Sequence, residues 1–284
     1  MKRVQHIEFF DKEHFEFRYH RKKAKHSLSN FIDFFWEIDF DDLWAKHPNG
    51  FSDVLFPNIG YTYLINLGTP FIMKLDEEAY EMKSDGFLPR HKTLECQHSV
   101  GNKIFGIKFK VSPIIFQKKI NFSEYTEYIF PLAYLIERDI VEKVKKGETF
   151  AKRMEIISAY YNKIIDQYSG SLKYVDIVTS VLKDCYDNNK FDISIEELSA
   201  SYKISTRTLQ RYFETATGIS SKQALQIMRI RKAVEHLVTD PKSFDLKIYG
   251  YYDYSHFYKH SKQFFGEKYF NRIQKQLNGS LILQ

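Results

Sequence analysis

Arg207, Gln210 and Arg211 sit at helical spacing in the segment Thr206–Thr217. Their side chains suit the edges of DNA bases. An arginine fork pairs with guanine O6 and N7, and a glutamine amide pairs with adenine N6 and N7. At ~100° per residue these three share a stripe with Glu214, while Leu209, Phe213 and Ala216 fall on the opposite stripe. One face would bury and the other would read. On this helix alone an ordinary solvated face accounts for the pattern equally well. A second segment strengthens it. Asp253 can cap a helix from Tyr254 to about Phe265, ended by Gly266. Phe257 and Phe264 then face inward, and Ser255, Lys259 and Lys262 face outward.

Several elements must hold these side chains in place. Ser194 is an N-cap signal with Glu197 at the capping-box position, and Ile195, Leu198 and Tyr202 mark a short amphipathic helix. Ser205 caps the next helix and Gly218 stops it. Two short helices joined by a tight turn make a helix-turn-helix. Between the two units, Lys222 to Val238 carries Ala224, Leu225, Met228, Ala233 and Leu237 on one side, a connector helix. Two reading helices held in fixed relation can enter successive major grooves, about 34 Å apart.

Charge agrees. The 284-residue chain carries a net +6, and residues 172–284 hold 17 Lys and Arg against 12 Asp and Glu. A basic C-terminal third is the footprint of a phosphate-binding surface. Composition excludes other classes. At 43% apolar with 12 Gly and 7 Pro, the chain is neither disordered nor collagen-like. No apolar run reaches the ~18 residues of a membrane span. Met1–Glu8 lacks the apolar stretch of a secretion signal, so a cytoplasmic protein with no membrane partner is expected.

Catalytic and metal chemistry find little support. Cys96 and Cys185 are 89 positions apart and form no CxxC pair, which excludes zinc-finger and thioredoxin motifs. They read as two unpaired, packed thiols. No HxH occurs among the ten histidines. His91 and His98 are seven apart with Glu95 between them, and they read as surface or core histidines. No G-x-S-x-G, Walker A or GxGxxG occurs. The expectation is a non-enzyme with no cofactor, no metal and no catalytic residue.

The fold class expected is α+β. Short apolar runs punctuated by Gly, Pro and Asn fill residues 1–130 and suggest a barrel or sandwich. Tyr61–Leu67 reads as a strand, Phe71–Leu75 as its partner, and Ile104–Val111 as another strand. The apolar stretch Leu28–Trp36 reads as a strand, and Ser112-Pro113 before Ile114-Ile115-Phe116 as a helix start. Phe31, Phe34, Phe35 and Trp36 could wall a ligand pocket, but a plain core strand is favoured. Residues 131–171 read as a helical linker, with helices over Glu137–Lys146 and around Met154–Tyr168. Ile157, Ile164 and Ile165 there could form a dimer interface or pack on their own domain. Residues 172–284 complete an all-α domain that starts with a helix over Val175–Tyr186.

The C-terminal motifs resemble the AraC/XylS family of transcription regulators. The family pattern S-x-x-x-L-x-R-x-F followed by Gly is met by Ser205, Leu209, Arg211, Phe213 and Gly218. Arg229, Ile230, Ala233, Leu237 and Val238 nearly meet R-L-x-x-A-x-x-L-L. Gly250, Tyr251, Asp253, Ser255 and Phe257 match G-F-x-D-x-S-x-F. The resemblance implies that Arg207, Gln210 and Arg211 reach bases from the first helix, and Ser255, His256 and Lys259 from the second. It implies a structural role for Arg229. The second unit departs from the pattern. Ser243–Tyr249 lacks the usual Ile-Ala pair, Ser261 replaces an aromatic residue, and Lys268–Arg272 lacks Pro-x-x-Tyr-Arg.

Phe31–Trp36, Asp53–Asn58 and Gly106–Phe109 also resemble a β-rich N-terminal domain of some bacterial members, one that senses a small molecule, dimerises, or both. The implied partners are double-stranded DNA, a small-molecule effector, RNA polymerase and a second copy of the chain. The alternative is a small-molecule or protein binding module with a degenerate DNA-binding domain. An enzyme with a cupin-like barrel ranks last.

Overall fold

The computed structural model describes residues 14, 17–116, 127–267 and 269–271. Strands dominate the first half of the chain and helices the second. The strands are β1 Tyr19–Lys23, β2 Ile32–Asp39, β3 Phe51–Leu55, β4 Tyr61–Asn66, β5 Phe71–Leu75, β6 Glu78–Met82, β7 Gly86–Pro89, β8 Leu94–His98, β9 Lys103–Phe109 and β10 Phe130–Pro131. They form two antiparallel sheets, one in the order β1-β2-β9-β4-β7-β10 and one in the order β3-β8-β5-β6. The helices are α1 Arg138–Lys146, α2 Phe150–Gln167, α3 Lys173–Asp187, α4 Ile195–Ser201, α5 Thr206–Thr217, α6 Ser221–Thr239 and α7 Tyr254–Phe265. The α+β expectation holds.

The six-stranded sheet is the middle of three layers. Every residue of β4 is buried, because its side chains alternate between two cores. Tyr61, Tyr63 and Ile65 join Phe105, Ile107 and Phe109 in a core shared with the helices. Leu64 and Ile104 join Phe71, Met73 and Leu94 in a core shared with the smaller sheet. Gly106 on β9 is required by a close approach. A Cβ there would lie 2.0 Å from the Trp36 ring.

Helix α2 is tied to the middle sheet by charge as well as packing. Thr149 caps it by accepting from the Lys152 amide. Arg153 Nη1 donates to Glu37 Oε2 on β2 at 2.8 Å, and both side chains are buried. Ile157 is buried and Tyr161 meets Phe109 edge-on at 5.5 Å, while Ile164 and Ile165 are partly buried in the same core. These isoleucines therefore pack on their own chain.

Three local expectations change. Phe71–Leu75 is not the partner of Tyr61–Asn66. It pairs with β6 and β8 in the other sheet, whereas β4 pairs with β7 and β9. The Asn66 amide explains the crossing. Its Nδ2 donates to the carbonyls of Thr69 and Met82, and its Oδ1 accepts from the Gly68 amide, so the chain is turned out of the sheet. The stretch Leu28–Trp36 divides, with a 3-10 turn over His26–Asn30 before β2. Phe31 and Phe35 are core residues, and Arg21 stacks on the Phe34 ring at 3.7 Å. The start at Pro113 is a 3-10 turn over Pro113–Phe116. Met1–Glu8, Lys268 and Arg272 lie outside the described residues.

Candidate nucleic-acid interface

The first helix-turn-helix unit is built from local signals. Ser194 Oγ accepts from the Glu197 amide, and the Glu197 carboxylate accepts from the Ser194 amide, a complete capping box on α4. Ser205 Oγ accepts from the Thr208 amide at 3.1 Å and opens α5. Gly218 closes α5 with φ +76°, the left-handed conformation that glycine adopts without strain. Leu209, Phe213 and Ala216 are fully buried. Arg207, Arg211 and Glu214 are exposed on the opposite face.

Gln210 sits differently from its neighbours. It is half-buried, and its amide is already engaged at both ends. Nε2 donates to Glu214 Oε1 at 2.7 Å, and Oε1 accepts from Ser221 Oγ at 3.1 Å and from the Ser221 amide at 3.3 Å. Ser221 begins α6, so Gln210 stitches the first reading helix to the connector. To pair with an adenine it must give up these bonds.

Helix α6 divides its apolar face between the two units. Ala224, Leu225 and Ile227 belong to the core of the first. Ile230, Ala233, Val234 and Leu237 belong to a separate core with Leu246, Tyr249, Tyr251, Phe257, Phe264 and Phe265. Arg229 locks the joint. Its Nε donates to the Tyr249 carbonyl at 2.8 Å, a second guanidinium nitrogen donates to the Gly250 carbonyl, and its charge lies 3.8 Å from the centre of the Tyr251 ring. This is a structural role, as the resemblance implied.

Helix α7 has the expected bounds. Asp253 Oδ1 accepts from the His256 amide at 2.7 Å. Ser255, His256 and Lys259 are exposed, and Lys262 pairs with Glu267 at 2.8 Å. The helix before it is reduced to one 3-10 turn, Leu246–Tyr249. Ser261 is buried and returns its hydroxyl to the Phe257 carbonyl. Sequence reasoning passed over the tyrosines here. Tyr252 is 86% exposed and Tyr254 62%, so aromatic rings flank the start of α7.

The strand-rich half touches both units. The Ser112 amide donates to the Ala216 carbonyl at the end of α5, at 2.7 Å. Arg231 Nη1 on α6 donates to the carbonyls of Phe56 and Pro57. The Phe56 ring, together with Val54, lies in the core of the second unit.

A family model described as a helix-turn-helix domain matches residues 198–268. A comparison with curated proteins returns no match. Among solved structures, ToxT from Vibrio cholerae overlays with a TM-score of 0.43 at 10% identity, over 87% of this chain and 94% of that one. ToxT of strain SCE256 with a bound unsaturated fatty acid overlays at 0.42 and 11%, over 76% and 88%. The AraC-like transcriptional activator CuxR overlays at 0.32 and 10%, over 84% and 93%. At these values none of the overlays fixes a property of this chain. The matched segment contains α5, α6 and α7 whole, and among the described residues no helix is long and apolar enough to cross a membrane.

Proposed function

We propose that this protein is a sequence-specific DNA-binding transcription regulator that places α5 and α7 in successive major grooves. The observation that carries this reading is the pair of capped, outward-facing helices mounted on one connector and pinned there by Arg229. Arg207 and Arg211 are the base contacts of the first unit, with Gln210 joining only if it leaves Ser221. Ser255, His256 and Lys259 are the contacts of the second. Surrounding lysines neutralise phosphates and set the salt dependence. We take the chain as a β-rich input domain over 1–130, a helical linker over 131–171 and a DNA-binding domain over 172–284. It acts in the cytoplasm, and a second copy and RNA polymerase are its further protein partners.

We take the strand-rich half to receive a small-molecule effector. A cleft of about 450 Å³ lies between the segment Lys22–Leu28 and α2, lined by Phe35, Met154 and the three lysines Lys22, Lys23 and Lys25 against one acid, Asp166. Such a cleft suits a small anionic molecule with an apolar body.

The test is selection from a random DNA pool by the full-length protein near physiological salt. Enrichment of one motif spanning two major grooves is expected. A motif covering a single groove would assign base reading to α5 alone, which the shortened Leu246–Tyr249 turn and the tyrosines beside α7 favour as the second reading. Equal recovery of all sequences, with and without small anionic amphiphiles, would overturn the proposal.

A further inference from the structure

Asp53 and Cys96 face each other across the antiparallel pair β3–β8, and His98 lies two residues beyond Cys96. A strand turns alternate side chains to one face, so all three leave the smaller sheet on the same side. All are buried, and a carboxylate oxygen, a thiol sulfur and an imidazole nitrogen lie within 4.8 Å of one another. Zinc bonds to sulfur at about 2.3 Å and to nitrogen and oxygen at about 2.0–2.2 Å, so tetrahedral donors sit roughly 3.3–3.6 Å apart. A metal ion would draw the three donors, now within 4.8 Å, closer together.

The hydrogen bonds around His98 point the same way. Asn102 Nδ2 donates to the Thr69 carbonyl at 3.2 Å. Its Oδ1 is therefore the end that faces His98 Nδ1, at 2.8 Å, and it accepts a hydrogen from that nitrogen. Nε2 faces Asp53 Oδ1 at 3.3 Å, and the space between them can hold a proton or a metal ion. A ligating histidine whose other nitrogen donates to a fixed oxygen is the usual outer-shell arrangement of metal sites.

We propose that Asp53, Cys96 and His98 form a binding site for a divalent transition metal of the zinc class. A mixed sulfur, nitrogen and oxygen donor set selects such an ion over magnesium or calcium. Charge balances. The ion brings two positive charges and displaces two protons to solvent, one from the Cys96 thiol and one from between Nε2 and Oδ1. The loaded site carries no net charge, which suits the rings of Phe40, Phe51 and Phe71, with centroids 4.4, 4.9 and 5.9 Å from that of His98. The sequence does carry a signal, Cys96-x-His98 on one strand face, but its third member lies on another strand.

The test uses cobalt as a spectroscopic stand-in for zinc. The full-length C185A variant keeps Cys96 as its sole thiol. It is titrated with Co2+ both folded and during refolding, in a thiol-free reductant, so that slow entry into a buried site is covered. The expected result is an intense near-ultraviolet sulfur-to-cobalt band that saturates at one equivalent and is discharged by Zn2+. D53N and H98Q should weaken cobalt binding by at least about tenfold. No band under either protocol, or a band that persists in C96S, would overturn the proposal. The C185A titration decides the matter even if the ligand variants do not fold.

Discussion

Phe56 meets Phe265 edge-on, with ring centroids 4.6 Å apart. One residue follows β3 in the strand-rich half, and the other ends the second reading helix. The carbonyl of Phe56 accepts from Arg90 at 3.2 Å and from Arg231 at 3.3 Å, so arginines from both halves hold the turn that presents the ring. The wall of the second unit's core is therefore supplied from outside the DNA-binding segment.

Replacing that ring should destabilise the molecule as a whole. F56A removes a buried aromatic side chain, a change that costs about 3–5 kcal/mol in a packed core. Because α6 also enters, through Ala224, Leu225 and Ile227, the core that the middle sheet shares with the helices, calorimetry of the full chain should show one transition, moved down in temperature. Two separate transitions, with only one shifted, would contradict a shared core.

R229A should cost about 2–3 kcal/mol of stability through its two carbonyl bonds and its contact with Tyr251. Lysine lacks the planar fork, so R229K should recover little. Denaturant unfolding measures the loss. The salt slope of DNA affinity should stay unchanged at permissive temperature, since Arg229 is not on the reading face.

R211A and Q210A should separate reading from bracing. R211A should weaken binding to the selected site by about 1–3 kcal/mol and relax preference at one position. Q210A should leave preference nearly intact and lower stability by about 1 kcal/mol, because its bonds go to Ser221 and Glu214. Parallel binding curves on selected and random DNA check the first, and thermal unfolding checks the second. Equal losses for R211A on both DNAs would deny it a base.

The pair Arg153–Glu37 should behave as buried charge. R153A strands the Glu37 carboxylate beside Lys103, 3.6 Å away, and should cost about 2–4 kcal/mol. The double variant R153M/E37L removes both charges and should be closer to wild type than R153A. A double-mutant cycle in denaturant reads the difference.

His260 should make stability depend on pH. Its Nδ1 lies 2.7 Å from the Tyr251 hydroxyl. Burial, followed by the charges of Arg229 and His256, lowers its pKa from the ordinary 6.5 to about 4. The folded protein therefore resists a proton that the unfolded chain accepts. The contribution is complete above about pH 6.5 and is lost as pH falls toward 4. It amounts to roughly 1 kcal/mol once solvent screening of this half-buried ring is allowed for. H260Q should flatten that part of the stability–pH curve.

The legibility of these features follows the range of the forces behind them. Ser194, Glu197, Ser205, Gly218 and Asp253 act within one turn of their own helix, so the bounds of α5 and α7 can be read directly from the chain. Gln210 shows the limit. Its outward angle is correct, but Ser221 reaches it only after the turn at Gly218 brings α6 alongside. The partner of Phe71–Leu75 depends on a crossing set by the Asn66 amide, and strand adjacency carries no local mark. Asp53 and Cys96 meet through a register between strands far apart in the chain, which residue spacing does not reveal.

The Phe56–Pro57 turn changes what a genetic screen on this protein would return. On the proposed function, substitutions that abolish operator-dependent output should appear in β3 and the turn after it, at residues given no DNA contact. Scored by position alone, they would be filed as defects of signal reception. Their signature would be different, a fall in protein abundance that no inducing compound restores and that a second-site change beside Phe265 can suppress.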